Sequence, residues 1–324
     1  MRLEVIVCTH NPRIEFLTRA LSALRAQTLP YDKWNLTIID NLSQEPLANL
    51  LDLSWHPFAC LIREPRLGLT YARLRGISEA RGELLVWVDD DNLLDRNFLE
   101  EADRMFALHP RLGIAGGKSI PEYVEAPPNW YSPDLAPLGC CNHGEQQQFI
   151  SAAKHPRSYP AKAPIGAGMV TRRIAIQIWA DAIANDPQRQ KLGRTGSALS
   201  SGEDNDINLT LLRNGWDLAY VPQLKLTHLI PPGRLTLDYQ KRIARASFRD
   251  FVKVLDLHGI RPWPAIPRWS IPLRALKAWV ALRAWTGPAS HIQWEGMLGQ
   301  YEGRAEIGTK AGSAEKLEVP SKIH

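Results

Sequence analysis

Three consecutive carboxylates, Asp89, Asp90 and Asp91, follow the hydrophobic run 84–88. Like charges this close repel one another, so a folded chain that carries them usually needs a cation to neutralise them. If the run is a buried parallel strand, the acids emerge at its carboxyl end, where open α/β sheets bind their ligands. The pattern predicts a ligand or metal site here, with an acidic loop that caps the helix beginning near Asp95 as the alternative.

A second acidic pair, Glu203 and Asp204, opens a segment with helical spacing over 202–213. Ser200 and Glu203 fit a capping box, which makes Glu203 the expected capping partner. Acids in a first turn also favour the helix dipole by a few tenths to about one kcal/mol. Asp204 is therefore the candidate general base, while Asp206 faces elsewhere on the helix.

Further polar residues stand at the ends of other candidate strands: Thr9 and Asn11 after the first, Asp40 after the second, and Arg66 after the third. Each alone is explained by turn chemistry. Because carboxyl ends of adjacent parallel strands meet at one edge of a sheet, we expect these side chains to converge on one crevice with the acids.

The elements that position these residues alternate between strand and helix at a spacing of about thirty residues. Candidate strands lie at 3–8, 36–39, 60–62, 84–88, 112–115, 218–221 and 224–227, and ordered structure is expected at 165–171. Candidate helices lie at 14–27, 69–80, 98–106, 173–184 and 202–213. This order predicts an α/β fold with a mixed, mostly parallel sheet flanked by helices. Between them, 121–164 is irregular and aromatic, which is typical of a functional loop.

Composition excludes several classes of protein. The 324 residues contain no run of about 18 apolar residues that would span a membrane, and the first residues do not resemble a secretory signal. The four cysteines have no Cys-x-x-Cys spacing, which favours a reducing cytoplasm and no structural zinc. The glycine spacings near Gly113 and Gly166 fit neither a P-loop nor a dinucleotide fingerprint.

The net charge of +5 is concentrated in the carboxyl-terminal part, where residues 231–300 carry eleven Lys or Arg, four acids and five of the eleven tryptophans. Amphipathic helices of this composition lie at membrane interfaces. We expect a basic helical extension over 231–303 and peripheral membrane contact through 236–300, with packing against the catalytic domain as the alternative. No nucleic-acid-reading motif is present, and 304–324 is expected to be a flexible tail.

Several segments in order resemble the family 2 glycosyltransferases of the GT-A fold. They are 5–12, the Ile39-Asp40-Asn41 step, 68–73, Gly82-Glu83, 88–92, 166–170 and 202–206. The resemblance covers about residues 3–230 and implies a GT-A domain over 1–230, with a nucleotide-binding half at about 1–117 and an acceptor half at 118–230. The family's usual Ala-Arg-Asn is Ala72-Arg73-Leu74 here, and its processive Gln-x-x-Arg-Trp element is absent from the sequence.

The resemblance also implies roles for individual residues. Asp91 and His228 would hold a divalent cation, Mn²⁺ or Mg²⁺, and Asp204 would be the base of a single, inverting displacement. Taken alone, His228 is more readily explained as a satisfied core or edge histidine. The nucleotide sugar would be bound by Thr9, Asn11, Asp40, Arg66, Arg73, Asp89 and Asp90, and the acceptor side would include Gly168 and Glu203.

The function expected from these observations is metal-dependent transfer of one sugar from a nucleotide donor, a UDP-sugar, to a glycan or lipid-linked acceptor. The reaction would belong to the synthesis of surface polysaccharides or glycoconjugates, in the cytoplasm at the inner face of the cell membrane. The alternatives are a nucleotidyltransferase acting on sugar phosphates and an inactive scaffold that binds sugar nucleotides or membranes.

Overall fold

The computed structural model describes residues 2–153, 158–196 and 198–308. The strands are β1 (Leu3–Thr9), β2 (Trp34–Asp40), β3 (Ala59–Arg63), β4 (Leu84–Asp89), β5 (Asn92–Leu94), β6 (Leu112–Gly116), β7 (Ser119–Tyr123), β8 (Gln148–Ile150), β9 (Val170–Arg172), β10 (Asp217–Tyr220) and β11 (Leu226–Ile230). The helices are α1 (Ile14–Arg25), α2 (Leu69–Glu79), α3 (Phe98–Leu108), α4 (Arg173–Ile183), α5 (Glu203–Arg213), α6 (Leu237–Leu257), α7 (Ile271–Ala281) and α8 (Pro288–Gly308).

The main sheet has the strand order β3-β2-β1-β4-β9-β6-β10-β8. Strands β3, β2, β1 and β4 are parallel, as are β6 and β10, whereas β9 and β8 run antiparallel to their neighbours. A second sheet has the order β5-β11-β7. The predicted mixed, mostly parallel α/β sheet is confirmed, and β1 and β4 are adjacent in its centre.

Strand β1 shows why helices cover both faces of this sheet. All seven of its residues are buried, and alternate side chains of a strand point to opposite faces. Val5 and Val7 join the apolar cluster beneath α1 and α3, whereas Ile6 and Cys8 join the cluster beneath α2, α4 and α5. The central strands are therefore anchored from both sides, and their carboxyl ends are held in fixed positions.

Two sequence predictions differ from the structure. The residue before α5 is Gly202, which makes no side-chain capping bond, so the capping box of Ser200 and Glu203 is wrong. Of the ordered segment expected over 165–171, only Val170 and Thr171 belong to a strand, β9. The irregular segment 121–164 contains only the end of β7 and the short β8 among its described residues.

The carboxyl-terminal extension is helical, as the sequence predicts. Helix α6 packs along α8, and α7 packs on α8 as well. Because α8 ends at Gly308, residues 304–308 are helical rather than part of a flexible tail, while residues 309–324 lie outside the described part of the chain. Of the helices described, none is long and apolar enough to cross a membrane.

Candidate active site

The acids 89–91 lie at the carboxyl end of β4, directly beside the end of β1. Asp89 is paired in parallel register with Cys8, and the chain then turns through Asp90 and Asp91 into β5. Thr9, the last residue of β1, donates a hydrogen bond from Oγ1 to Oδ2 of Asp90. The parallel pairing of the two strands thus brings together residues that are 81 positions apart in sequence.

Asp91 is held by three neighbours. Its Oδ2 accepts a hydrogen bond from Nη2 of Arg234 at 2.9 Å, and its Oδ1 accepts one from Nδ2 of Asn92 at 3.0 Å. Nε2 of His228 lies 3.3 Å from the same Oδ1. His228 reaches this position because β11 pairs with β5, which places it opposite Asn92. Both oxygens of Asp91 therefore have partners.

Charge is distributed unevenly among these groups. Burial, and then the neighbouring Asp91 carboxylate, raise the pKa of Asp90 to about 7. Burial would raise the pKa of Asp91 too, but His228 and Arg234 lower it well below its ordinary value. Although burial opposes the charged ring, Asp91 raises the pKa of His228 to about 10. At neutral pH Asp91 is ionised, and the guanidinium of Arg234 on its Oδ2 balances its charge.

The second acidic pair, Glu203 and Asp204, lies at the start of α5. Asp204 is partly exposed, and its Oδ2 accepts a hydrogen bond from the backbone N–H of Gly166 at 3.1 Å. The carboxylate of Glu203 is buried and lies 3.4 Å from Nη1 of Arg73. Neither oxygen of Glu203 has a hydrogen-bond partner in the described part of the chain. Asp204 is thus oriented but open, whereas Glu203 is buried in an ion pair.

Arg73, on α2, connects the two acidic groups. Its side chain is only 5% exposed and lies over the ring of Trp87, 5.9 Å from the centroid. Burial would lower its pKa, but the carboxylates of Glu203 and Asp89 raise it. A guanidinium in these surroundings stays charged and places a fixed positive charge between β4 and α5.

Most of the residues predicted to form the site line one cavity of about 490 Å³. Its lining includes Thr9, Arg73, Asp89, Asp90, Asp91, Glu203, Asp204 and His228. The acids of β4 and the acids of α5 thus border the same space. This cavity lies at the carboxyl ends of the central strands, where the sheet topology predicts a binding site.

Four predicted residues do not line this cavity. Asp40 lies 2.8 Å from Nη1 of Arg63 and accepts a hydrogen bond from the N–H of Ser43, and Arg66 is paired with Glu64 at 2.8 Å. The side chain of Asn11 accepts from the N–H of Gln44. Gly168 has φ +66°, and a Cβ there would lie 2.3 Å from the side chain of Leu226. Asp40 and Asn11 are thus held by residues 23 and 33 positions away, Arg66 is held within its own turn, and Gly168 serves close packing.

Sequence reasoning missed other residues of the cavity. Asn41 accepts a hydrogen bond from Gly68 N–H and donates to the carbonyl of Arg66, which fixes the loop before α2. Arg194 and Arg234 add positive charge to the lining. The Asp40-Asn41 step in the sequence predicts a site near Asn41. The sequence around Arg194 and Arg234, in contrast, does not distinguish them from other arginines.

The irregular segment contributes less than its aromatic content suggests. Residues 137–140 line the cavity. Tyr159 is instead hydrogen-bonded to Asn208 and packs against Phe251, and Trp130 packs against Tyr131. Residues 154–157 lie outside the described part. The segment's backbone near Gly139, rather than its rings, borders the site.

The surroundings of Asp91 have the donor types that a divalent cation takes, since carboxylate oxygens suit Mn²⁺ and Mg²⁺ and imidazole is a common metal ligand. In the structure, however, Oδ2 of Asp91 already accepts a hydrogen bond from Nη2 of Arg234. Within 2–153, 158–196 and 198–308, no group of three or more His, Cys, Asp or Glu is arranged to hold a metal ion. A cation at Asp91 would therefore compete with the like charge of the guanidinium.

Comparison with known sequences gives one family. The model described as Glycosyl transferase family 2 matches residues 4–172. The glucosyl-dolichyl phosphate glucuronosyltransferase of Haloferax volcanii is 23% identical over 148 residues, which are 44% of this chain and 47% of that protein. The inactive polypeptide N-acetylgalactosaminyltransferase-like protein 5 of Macaca fascicularis is 29% identical over 116 residues, 34% and 26% of the two chains. The chain spans less than half the length of these relatives.

Comparison with solved structures extends the likeness to the fold. S. aureus TarS 1-349 in complex with UDP superimposes with a TM-score of 0.52 at 13% identity, over 99% of this chain and 95% of that one. GalNAc-T7 with UDP, GalNAc and Mn²⁺ gives a TM-score of 0.53 at 17% identity, over 79% and 48%. Both neighbours have the GT-A fold, so the fold expected from the sequence is confirmed.

Proposed function

The chain belongs to glycosyl transferase family 2, and we propose that it moves one sugar from a nucleotide donor to a hydroxyl group of an acceptor. The observation that supports this most strongly is the shared cavity. The three acids after β4 and the partly exposed Asp204 at the start of α5 line the same space. A donor held at the first group would present its sugar towards the second.

Binding of a diphosphate among acids requires positive charge near it. Arg73, Arg194, Arg234 and His228 line the same cavity, and the raised pKa of Asp90, about 7, reduces the negative charge of the turn. Thr9, Asp89 and Asp90 would contact the nucleoside, as the family resemblance implies. The proposed donor is a UDP-sugar, which is supported by the structural neighbours: S. aureus TarS was solved with UDP and with UDP-GlcNAc.

The proposed chemical step is a single displacement. Asp204 takes the proton from the acceptor hydroxyl as its oxygen forms a bond to the anomeric carbon. The bond from that carbon to the diphosphate oxygen breaks, and the diphosphate leaves with the electron pair. The configuration at the anomeric carbon is inverted. The hydrogen bond from Gly166 N–H to Asp204 orients the carboxylate, and no covalent nucleophile is needed.

A divalent cation, Mn²⁺ or Mg²⁺, belongs to the proposal as a partner of Asp91 and His228. When bound, it would neutralise charge on the leaving diphosphate. Support comes from the donor types at Asp91 and from GalNAc-T7, which was solved with Mn²⁺. Since Arg234 holds Asp91 in the structure, the guanidinium would turn from Asp91 to the diphosphate as the cation binds.

Electron paramagnetic resonance of Mn²⁺ tests this exchange without an activity assay, because the signal of the free ion falls as the ion binds. We expect weak Mn²⁺ binding by the wild type, tighter binding by Arg234→Gln without a donor, and no binding by Asp91→Asn. An Arg234→Gln variant whose Mn²⁺ affinity equals that of the wild type would show that Arg234 does not compete with the cation.

The acceptor is proposed to be a glycan or a lipid-linked sugar, and the reaction to occur in the cytoplasm at the inner face of the cell membrane. The name of the Haloferax volcanii relative, a glucosyl-dolichyl phosphate glucuronosyltransferase, supports a lipid-linked acceptor. The cysteines Cys8, Cys60, Cys140 and Cys141 are all free, as a reducing compartment would keep them.

A panel of radiolabelled nucleotide sugars tests the function. We expect that the sugar donors of one nucleoside raise the melting temperature of the protein. With an acceptor extract, these donors should release the nucleoside diphosphate and transfer their label to the acceptor. Donor binding without turnover would indicate the scaffold alternative. Release of pyrophosphate from a nucleoside triphosphate and a sugar phosphate would indicate the nucleotidyltransferase.

A further inference from the structure

Helix α7 has one large apolar face that no described part of the chain covers. Leu273, Leu276 and Val280 are 69%, 61% and 57% exposed, and at about 100° per residue their side chains lie within about 60° of one another. Trp269, just before the helix, and Trp285, just after it, are 79% and 58% exposed. Exposed apolar patches of this kind mark interaction sites.

The packing of the opposite face of α7 explains why the apolar face points outward. Ala278 is buried, and Trp279 packs edge-on against His291 and Trp294 of α8. Nε1 of Trp294 donates a hydrogen bond to the carbonyl of Ala275 at 2.9 Å. Helix α7 is therefore fixed on α8 by its inner side, and its outer apolar face is held in one direction.

Charge identifies the kind of partner. Exposed cations accompany the apolar face: Arg274 and Lys277 lie on α7 itself, and Arg268 and Arg283 lie beyond its two ends. The sequence has no acid between Asp256 and Glu295. The rim of a protein interface is polar and solvent-accessible, and nothing requires it to carry charges of one sign. At an anionic bilayer, in contrast, long cations reach the phosphates while apolar side chains enter the acyl boundary and tryptophan lies at headgroup level.

We propose that the outer face of α7, defined by Trp269, Leu273, Leu276, Val280 and Trp285, docks on an anionic membrane surface. Helix α7 would lie in the plane of the interface, because its eleven residues are too few to span a bilayer. Helix α6, which the sequence placed in the same membrane-contacting region, packs along α8, and its contact with a membrane stays a prediction. The docking does not depend on the proposed transfer reaction.

Sedimentation with vesicles tests the docking. The full chain should sediment with vesicles of phosphatidylcholine and phosphatidylglycerol and should stay in solution with phosphatidylcholine alone. Added salt should weaken the binding because exposed charges are screened. Leu273→Gln with Leu276→Gln should weaken binding at least about tenfold, since two apolar side chains no longer enter the interface. Arg274→Gln with Lys277→Gln should also weaken it, and should reduce its dependence on salt.

Leu108→Gln is the matched control, because Leu108 on α3 is 61% exposed, as Leu276 is, and lies outside the α7 face. It should bind vesicles as the wild type does. Failure of the wild type to sediment with anionic vesicles would overturn the proposal. So would a concentration-dependent dimer that Leu273→Gln with Leu276→Gln abolishes while vesicle binding persists. Donor turnover on a soluble acceptor should be unchanged in the double variant, which separates this test from that of the function.

Discussion

Asp204 and Asp206 are two residues apart on α5, yet the fold gives them different surroundings. Asp204 borders the cavity and is held by Gly166. Asp206 is 1% exposed and accepts hydrogen bonds from Nε1 of Trp179, while Nε2 of His258 lies 2.8 Å from its other oxygen. Asp206 therefore fixes the helix, and Asp204 is the acid that can approach an acceptor.

Replacement of Asp204 by asparagine tests its role as the base. We expect the transfer rate to fall about 10²- to 10⁴-fold, which is the usual contribution of a general base. Donor binding should be unchanged, because the amide oxygen can still accept from Gly166. Initial rates and calorimetric titration with the donor measure the two effects. The exposed Glu125→Gln should change neither, and normal turnover by Asp204→Asn would remove this residue from the mechanism.

Some residues that end a central strand could be recognised from sequence, although Asn11, Asp40 and Arg66 end or follow strands without lining the cavity. Residues that reach the site from elsewhere could not be recognised. Asp89, Asp90 and Asp91 follow an apolar run, so their position could be predicted. Arg234 occupies a turn six residues beyond His228, and its contact with Asp91 depends on the pairing of β5 with β11. The charge balance at Asp91 follows from that pairing and could not be inferred locally.

His56 provides a pH test of the fold outside the site. The ring is buried between Trp34 and Tyr31, and its Nδ1 accepts a hydrogen bond from Phe58 N–H. Burial lowers the pKa of His56, so the unfolded chain takes up a proton below pH about 6.5 that the folded chain does not. Stability should thus decrease as the pH falls through this value.

Urea unfolding at pH 7.5 and 5.5 measures this effect. Between these values the wild type should lose up to about 1 kcal/mol of unfolding free energy that His56→Phe does not lose. The comparison uses the change with pH in each protein, so a difference in their stability at pH 7.5 does not matter. Equal pH dependence in the two proteins would mean that His56 can be protonated in the folded state.

Among the elements, α5 shows why a local pattern can give the wrong partner. Ser200 and Glu203 have the spacing of a capping box, but the carboxylate of Glu203 pairs with Arg73. A lost cap costs about 1 kcal/mol, whereas a buried guanidinium without its partner costs about 3–5 kcal/mol. Because the second cost is the greater, Glu203 pairs with Arg73, which is on α2 and far away in sequence.

Helix α8 was not distinguished in the sequence because its glycines interrupt any simple apolar pattern. In the structure they bring it close to α6. A Cβ on Gly299 would lie 2.0 Å from the carbonyl oxygen of Arg245, and one on Gly303 would lie 2.7 Å from that of Arg249. These glycines therefore serve close helix packing, which only the tertiary structure reveals.

Gly299→Ala should destabilise the protein, because the added methyl group meets backbone that cannot move aside. Alanine favours a helix over glycine by about 1 kcal/mol, so a net loss would show that packing dominates. We expect a loss of about 1–3 kcal/mol in unfolding free energy, measured by thermal or urea unfolding. Gly233→Ala, where a Cβ would meet nothing within 4 Å, should change little. Stabilisation by Gly299→Ala would contradict the close contact.

At the scale of the whole molecule, the basic extension is joined to the helix that carries Asp204. Leu209 of α5 shares an apolar cluster with Val254 and Leu255 of α6, and His258 lies against Asp206. The sequence could predict the α/β sheet and a helical extension from periodicity and charge. It could not predict this contact, because neither side has a pattern that specifies the other. The division at residue 230 remains a prediction.

Because α5 and α6 share this core, the two regions should unfold together. Near-ultraviolet circular dichroism reports the tryptophans of the whole chain, and loss of donor binding reports the cavity. We expect both to change in one transition at the same temperature. An earlier transition that leaves donor binding intact would show that the extension is an independent unit.

The most direct test of the account is a crystal structure of Asp204→Asn with the UDP-sugar that stabilises the protein, since this variant should bind the donor without consuming it. The account predicts the diphosphate between Asp91 and the cations of the cavity, with the anomeric carbon facing position 204. A nucleotide bound outside this cavity, or a sugar turned away from position 204, would contradict it.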